Sequence, residues 1–174
     1  MCLVLSTSAA CTPPASKDGG VAAVDRGGPS APQAVTTDCV VARIVDGDTI
    51  ICAPNQRVRL IGMDTPEMRH VPFGRQARDT LAMLVPAGAR VQLEPDVERT
   101  DRYGRALAYV WRDGMLINWW LVRSGWARTL TVPPNVRYVD QFREAQRAAR
   151  AEGRGLWDHG TFACGPGAQA GRGC

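Results

Sequence analysis

Residues 38–67 read DCVVARIVDGDTIICAPNQRVRLIGMDTPE, and the alternation and turn chemistry of this stretch decide the fold. Val40, Ala42 and Ile44 alternate with other residues up to Asp46-Gly47, a pair that favours a tight turn, and an apolar stretch from Thr49 to Cys52 follows. That pattern predicts a β-hairpin. A third strand is expected from Arg57 to Met63, with Val58 and Leu60 on one face and Arg57, Arg59 and Ile61 on the other, because side chains alternate across a strand. Arg59 is thereby turned away from the two apolar residues.

Downstream the period changes. Ala77, Leu81 and Leu84 fall at helical spacing and predict a helix from Gly74 to Val85, ended by Pro86 and Gly88. Strands are expected at Arg90 to Glu94 and Arg105 to Trp111, with Asp113-Gly114 as a tight turn before another short strand. A second helix is predicted from Asn118, a good cap residue, to Ser124, with Gly125 in the terminating position. The third runs from Val136 to Glu152: Val139, Phe142, Ala145 and Ala149 share one face, Arg143, Arg147 and Arg150 face water, and Gly153 stops it. Five short strands interspersed with three helices predict an α+β domain, for which a small closed barrel is one architecture without exposed edges.

With 174 residues, 45% hydrophobic and 22% charged, the chain can bury one core, which this domain, residues 38–158, accounts for. The ends read differently. Leu3 to Ala10 is a short apolar and small-residue run closing on Ser8-Ala9-Ala10 before Cys11, like the end of a bacterial secretory signal with a lipid-acceptor cysteine, although a positively charged start is missing. Residues 1–11 are therefore expected to be a signal remnant, residues 12–37 a flexible tether rich in Pro, Gly, Ala and Ser, and residues 159–174 a cysteine-containing tail. The expected location is secreted or anchored at the cell surface through lipid on Cys11. A formal charge of +4 from twenty arginines and one lysine suits a polyanionic partner but does not establish one.

Cys39, Cys52, Cys164 and Cys174 form an even set outside the signal region and allow three pairings. No Cys-x-x-Cys spacing occurs, and His70 and His159 are far apart, so disulfides in an oxidising compartment account for these cysteines better than structural zinc. The preferred pairing is Cys39 with Cys52 and Cys164 with Cys174; the alternative for the first two is a pair of buried free thiols on neighbouring strands.

The chemistry-bearing residues fall in three segments: Asp46-Gly47-Asp48-Thr49; Arg59 with Asp64-Thr65-Pro66-Glu67; and Arg99-Thr100-Asp101-Arg102-Tyr103-Gly104-Arg105. Each alone is weak, since Asp-Gly is a turn former and Asp-Thr-Pro-Glu is also a helix-start pattern. In this order, with Leu107-Ala108-Tyr109, Asn118, Leu121-Val122, Pro134-Asn135 and Gly155-Leu156-Trp157 following, the chain resembles the staphylococcal nuclease, or thermonuclease, family from about Asp38 to Trp157. The resemblance implies a five-stranded OB barrel with three helices and a calcium-dependent nuclease acting on DNA and RNA. It further implies that Asp48, Asp64 and the Thr65 carbonyl bind the cation, that Glu67 acts on the attacking water, that Arg59 and Arg105 hold the scissile phosphate, and that Tyr103 lies beside it. A monomer is expected, with no protein partner.

The same roles follow from phosphodiester chemistry. Hydrolysis needs an activated water, neutralised non-bridging oxygens and in-line positioning. Paired carboxylates suit a hard cation such as calcium, without excluding magnesium. Paired arginines match a phosphate bidentately as lysine cannot, and with two histidines in the chain Glu67 is the best candidate base. The chain departs from the family at Thr129-Leu130-Thr131-Val132, which lacks the aromatic residues that cover a bound nucleotide, leaving Tyr138 as a partial substitute. Trp119-Trp120 reads as core packing rather than a base-stacking platform. The competing class is a non-catalytic OB-fold nucleic-acid-binding module, which has no reason to keep all five acidic and basic residues together.

Overall fold

The computed structural model describes residues 27–158. The signal remnant with Cys11, most of the tether, the terminal tail and the Cys164–Cys174 pairing lie outside the described residues. Among the described residues eight strands and three α-helices occur in the order β1 (Thr37–Ile44), β2 (Thr49–Cys52), β3 (Gln56–Leu60), β4 (Met63–Asp64), α1 (Phe73–Leu84), β5 (Arg90–Glu94), β6 (Ala106–Arg112), β7 (Met115–Leu116), α2 (Ile117–Arg123), β8 (Arg128–Thr129) and α3 (Val139–Ala151), followed by a 3-10 turn at Gly155–Trp157.

Five of these strands close on themselves. β1 pairs antiparallel with β2 and β5, β2 with β3, and β5 with β6, and parallel pairing of β3 with β6 completes the ring. Closure removes the free edges that would otherwise invite edge pairing. This is the α+β, five-stranded OB-type barrel with three helices that the sequence predicts. The remaining strands are accessories: β7 folds back on β6 across Asp113-Gly114, both at positive φ (51° and 76°), and β4 pairs with β8 as a two-stranded ribbon.

The barrel interior is filled by side chains such as Val41, Ile50, Val58, Leu60, Val91 and Val110, each nearly or wholly buried. Each such side chain contributes about 1.5–3 kcal/mol through removal from water. At one end α3 adds Phe142 to an aromatic group in which Tyr109 and Tyr138 meet edge to face, with centroids 4.7 Å apart.

Four local expectations need correction. In β1 the inward residues are Cys39 and Val41, not the Val40–Ala42–Ile44 set, because apolar residues occur in both phases and a bulge between Val41 and Arg43 shifts the register. The strand expected over Arg57 to Met63 stops at Leu60: Gly62, at φ 80°, turns the chain, and Met63–Asp64 pair elsewhere, with β8. Asn118 does not cap α2. It lies inside the helix, fully buried, where its amide donates to the Ile61 and Ala108 carbonyls (2.9 and 3.2 Å) and accepts from the Val110 N–H (2.8 Å). Tyr138 is likewise buried, its hydroxyl on Glu94, so it cannot stack on a base. Trp119 is core, as expected, packed beneath Gly28.

Cys39 and Cys52 form a disulfide. They are diagonal neighbours on the inner face, since Val41 is the residue directly opposite Cys52. Thiol titration of denatured, unreduced protein from an oxidising compartment should therefore find neither thiol free. Reduction should lower stability by about 2–4 kcal/mol in a chemical denaturation experiment, and recovery of both Cys39 and Cys52 as alkylated free thiols on peptide mapping would contradict the bond.

Candidate functional site

The turn after β1 sets Asp48 beside the end of β3. Its carbonyl accepts from the Leu60 N–H (2.9 Å), and the next residue, Thr49, is the cross-strand partner of Arg59. Alternation turns Arg59 out of the barrel, between Val58 and Leu60, which point in. Its guanidinium sits between two carboxylates: Nη2 is 3.1 Å from Asp48 Oδ2 and 3.4 Å from Asp64 Oδ1, while Nη1 donates to the Leu60 carbonyl (2.6 Å).

Asp48 is buried and densely bonded. The Thr65 N–H (3.3 Å) and hydroxyl (3.1 Å) donate to its Oδ2, and the Thr49 hydroxyl (3.2 Å) donates to Oδ1. Burial pushes its carboxyl up to about 6; Arg59 and the Thr65 donors pull it down, and neighbouring Asp46 pushes it further up. Desolvation thus outweighs the ion pair. Asp64 is more open, and its Oδ2 accepts from Nε (3.2 Å) and Nη2 (3.0 Å) of Arg128, the residue opposite it in the β4–β8 ribbon.

Arg105 reaches the same face by register. In the parallel β3–β6 pair Arg59 is opposite Leu107, and continuing the same alternation one residue before β6 begins sets Arg105 toward the outer face of Arg59. Strand spacing and rise place the two Cα atoms roughly 8 Å apart. A local device aims Arg105: its Nε donates to Asp101 Oδ2 (2.7 Å), and the N–H groups of Arg105 and Tyr103 donate to Asp101 Oδ1 (3.0 and 2.9 Å). Burial alone would raise the Asp101 carboxyl, but the hydrogen bonds from Arg105 and Tyr103 outweigh it and hold the group below its ordinary value. Tyr103 is 68% exposed, with the Arg102 and Arg105 guanidinium groups 4.8 and 5.6 Å from its ring centre.

Glu67 lies on the exposed loop between β4 and α1, three residues beyond Asp64. Its carbonyl accepts from the His70 N–H (2.8 Å), and Gly74 at the start of α1 lies so close beneath that a Cβ there would collide with that carbonyl. The loop is thus pinned from below. Among the described residues no hydrogen bond or ion pair engages the Glu67 carboxylate.

The structure therefore brings Asp48, Asp64, Thr65 and Arg59 into one contact network, sets Arg105 with Tyr103 on the same barrel face, and leaves Glu67 on an adjoining loop. Among the described residues no three His, Cys, Asp or Glu side chains converge on one point, so two carboxylates are what the network offers a cation. Two participants receive no role from the sequence. Asp101 carries a signal, its i,i+4 spacing to Arg105; Arg128 carries none, because its partner is 64 residues away.

The family model described as Staphylococcal nuclease homologue matches residues 57–159, a span holding Arg59, Asp64, Thr65, Glu67, Tyr103, Arg105 and Arg128, with Asp48 just before it. A thermonuclease of Staphylococcus intermedius is 39% identical over 127 residues, covering 68% of this chain and 75% of that protein. A thermonuclease of Staphylococcus hyicus is 36% identical with the same coverage. The SPbeta prophage-derived endonuclease YokF of Bacillus subtilis (strain 168) is 37% identical over 135 residues, 72% of this chain and 45% of the relative.

Proposed function

This chain belongs to the staphylococcal nuclease family, and from that premise we propose that it is a calcium-dependent nuclease hydrolysing phosphodiester bonds of DNA and RNA. The observation that carries the reading is the single guanidinium of Arg59 held between the carboxylates of Asp48 and Asp64 (3.1 and 3.4 Å), with Arg105 on the same face.

The donor set fits a hard cation. Asp48 and Asp64 would supply carboxylate oxygens, and the Thr65 carbonyl would be the third ligand; both Thr65 donors already lie on Asp48, which keeps that residue beside the carboxylates. Oxygen ligands completed by water suit calcium better than zinc. A cation held there would supply Lewis-acid stabilisation of charge on the phosphate. Glu67 takes the proton of the attacking water, for which its exposed carboxylate, engaged by no other described residue, is free. Arg59 and Arg105 grip the non-bridging oxygens and strengthen their hold as negative charge grows there. Tyr103, over the Arg105 guanidinium, contacts the substrate at the rim.

Zymography on gels cast with DNA and with RNA tests this: clearing is expected in both with calcium, and no clearing in either overturns the reading. Calcium affinity should also depend on pH. A cation needs Asp48 deprotonated, and burial raises that carboxyl to about 6, so affinity should be full above that value and weaken as pH falls below it, by up to about tenfold per unit. Calorimetry at pH 7.5 and about pH 5 checks this; equal affinities would contradict it.

The reading extends to location: the protein is secreted or anchored at the cell surface by lipid on Cys11. Its support is the apolar run before Cys11 and the Cys39–Cys52 bond, which belongs in an oxidising compartment.

A further inference from the structure

Both oxygens of Asp64 face guanidinium groups: Oδ1 is 3.4 Å from Arg59 Nη2, and Oδ2 accepts from Nε and Nη2 of Arg128 at 3.2 and 3.0 Å. A cation sharing Asp64 therefore meets two guanidinium charges already drawn onto its oxygens, and it is held more tightly where one of them withdraws. The two arginines differ in how firmly they are held. Arg59 has a side chain only 14% exposed and is tied to Leu60 and Asp48 as well. Arg128 has a side chain 44% exposed, reaches Asp64 from across the β4–β8 ribbon, and can swing into water without leaving a buried donor unsatisfied.

We propose that Arg128 is an electrostatic latch on Asp64, closed in the cation-free protein and released when a divalent cation binds, so that it sets how tightly the cation is held. The proposal rests on the reading of Asp48 and Asp64 as cation ligands. Arg128 acts through Asp64 and not on the substrate. Its planar fork takes one carboxylate oxygen with two nitrogens, competing for the electron pairs a cation needs, while its charge adds repulsion at the same point. A lysine in its place keeps the charge and loses the fork.

The test is calorimetric titration of calcium into the metal-free full chain without nucleic acid, supported by the calcium-dependent rise in thermal midpoint. Arg128→Gln should tighten calcium binding about five-fold, equivalent to about 1 kcal/mol, the worth of a well-formed, partly exposed ion pair. Arg128→Lys should tighten it roughly two-fold, and Arg143→Gln, which removes the same charge from the outer face of α3, should leave it unchanged. Should the Gln variant fail to fold, the Lys variant alone decides. Unchanged or weaker binding in Arg128→Gln overturns the latch, as does tightening in Gln with wild-type affinity in Lys, which would mean charge acting at a distance. Calcium binding by the wild type with unaltered Arg128 variants removes the latch alone; no binding and no thermal shift in the wild type removes the cation site as well.

Discussion

Glu67→Gln should lower kcat by about 100-fold or more and leave substrate affinity nearly unchanged, because the amide keeps the size of the carboxylate and cannot accept the proton of the attacking water. The side chain is exposed and engages no other described residue, so folding should not suffer. Arg105→Lys should behave similarly for a different reason. Asp101 aims the guanidinium fork through three hydrogen bonds to Arg105 and Tyr103, and a lysine keeps the charge without bidentate contact, so kcat should fall more than affinity. Arg143→Lys, on the solvent face of α3, should change neither constant. Steady-state kinetics with direct binding measurements separates the two effects, and wild-type turnover in a folded Glu67→Gln protein would place the base elsewhere.

The largest loss of stability is expected at Glu94, far from the chemistry. Its carboxylate is fully buried at the end of β5. Oε1 accepts from the N–H groups of Gln33 and Ala34 (2.8 and 2.9 Å) and from Arg137 Nη1 (2.8 Å); Oε2 accepts from Trp111 Nε1 (2.7 Å) and the Tyr138 hydroxyl (2.9 Å). One side chain thus joins the segment before β1, the barrel and the approach to α3. Burial and the hydrogen bond to Glu94 both raise the Tyr138 hydroxyl above its ordinary value, keeping it a neutral donor. Glu94→Leu would strand these buried donors and leave Arg137 with Asp96 (3.4 Å) as its remaining carboxylate, at a cost of about 3–5 kcal/mol. In a domain of this size the thermal midpoint should drop by roughly 10 °C or more. Glu94→Gln, which keeps an acceptor, should lose less. A loss under about 1 kcal/mol for Glu94→Leu in denaturant unfolding would show that the network adds no net stability.

Local patterns were the legible part of this fold. Strand parity in Arg57–Leu60 gives Arg59 its outward direction, turn chemistry gives the bends at Asp46-Gly47 and Asp113-Gly114, and the period of α3 gives its buried face. Patterns with two solutions failed: β1 has apolar residues in both phases, and a bulge chose between them. Asn118 has the composition of a cap, yet three buried hydrogen bonds to β6 and Ile61 decide its role, and no local rule encodes them. Distance in sequence hid the rest. Arg128 meets Asp64 across 64 residues and Arg137 meets Glu94 across 43, contacts that exist only once the barrel has closed. Glu94 itself reads as one more charged strand residue, and its complete burial follows from closure.

The most direct measurement of the account is DNA cleavage by one preparation with calcium, then with excess chelator, then with calcium restored. With Asp48 and Asp64 as cation ligands, activity should fall to background on chelation and return in full when calcium is added back. Cleavage that continues undiminished in excess chelator would contradict it.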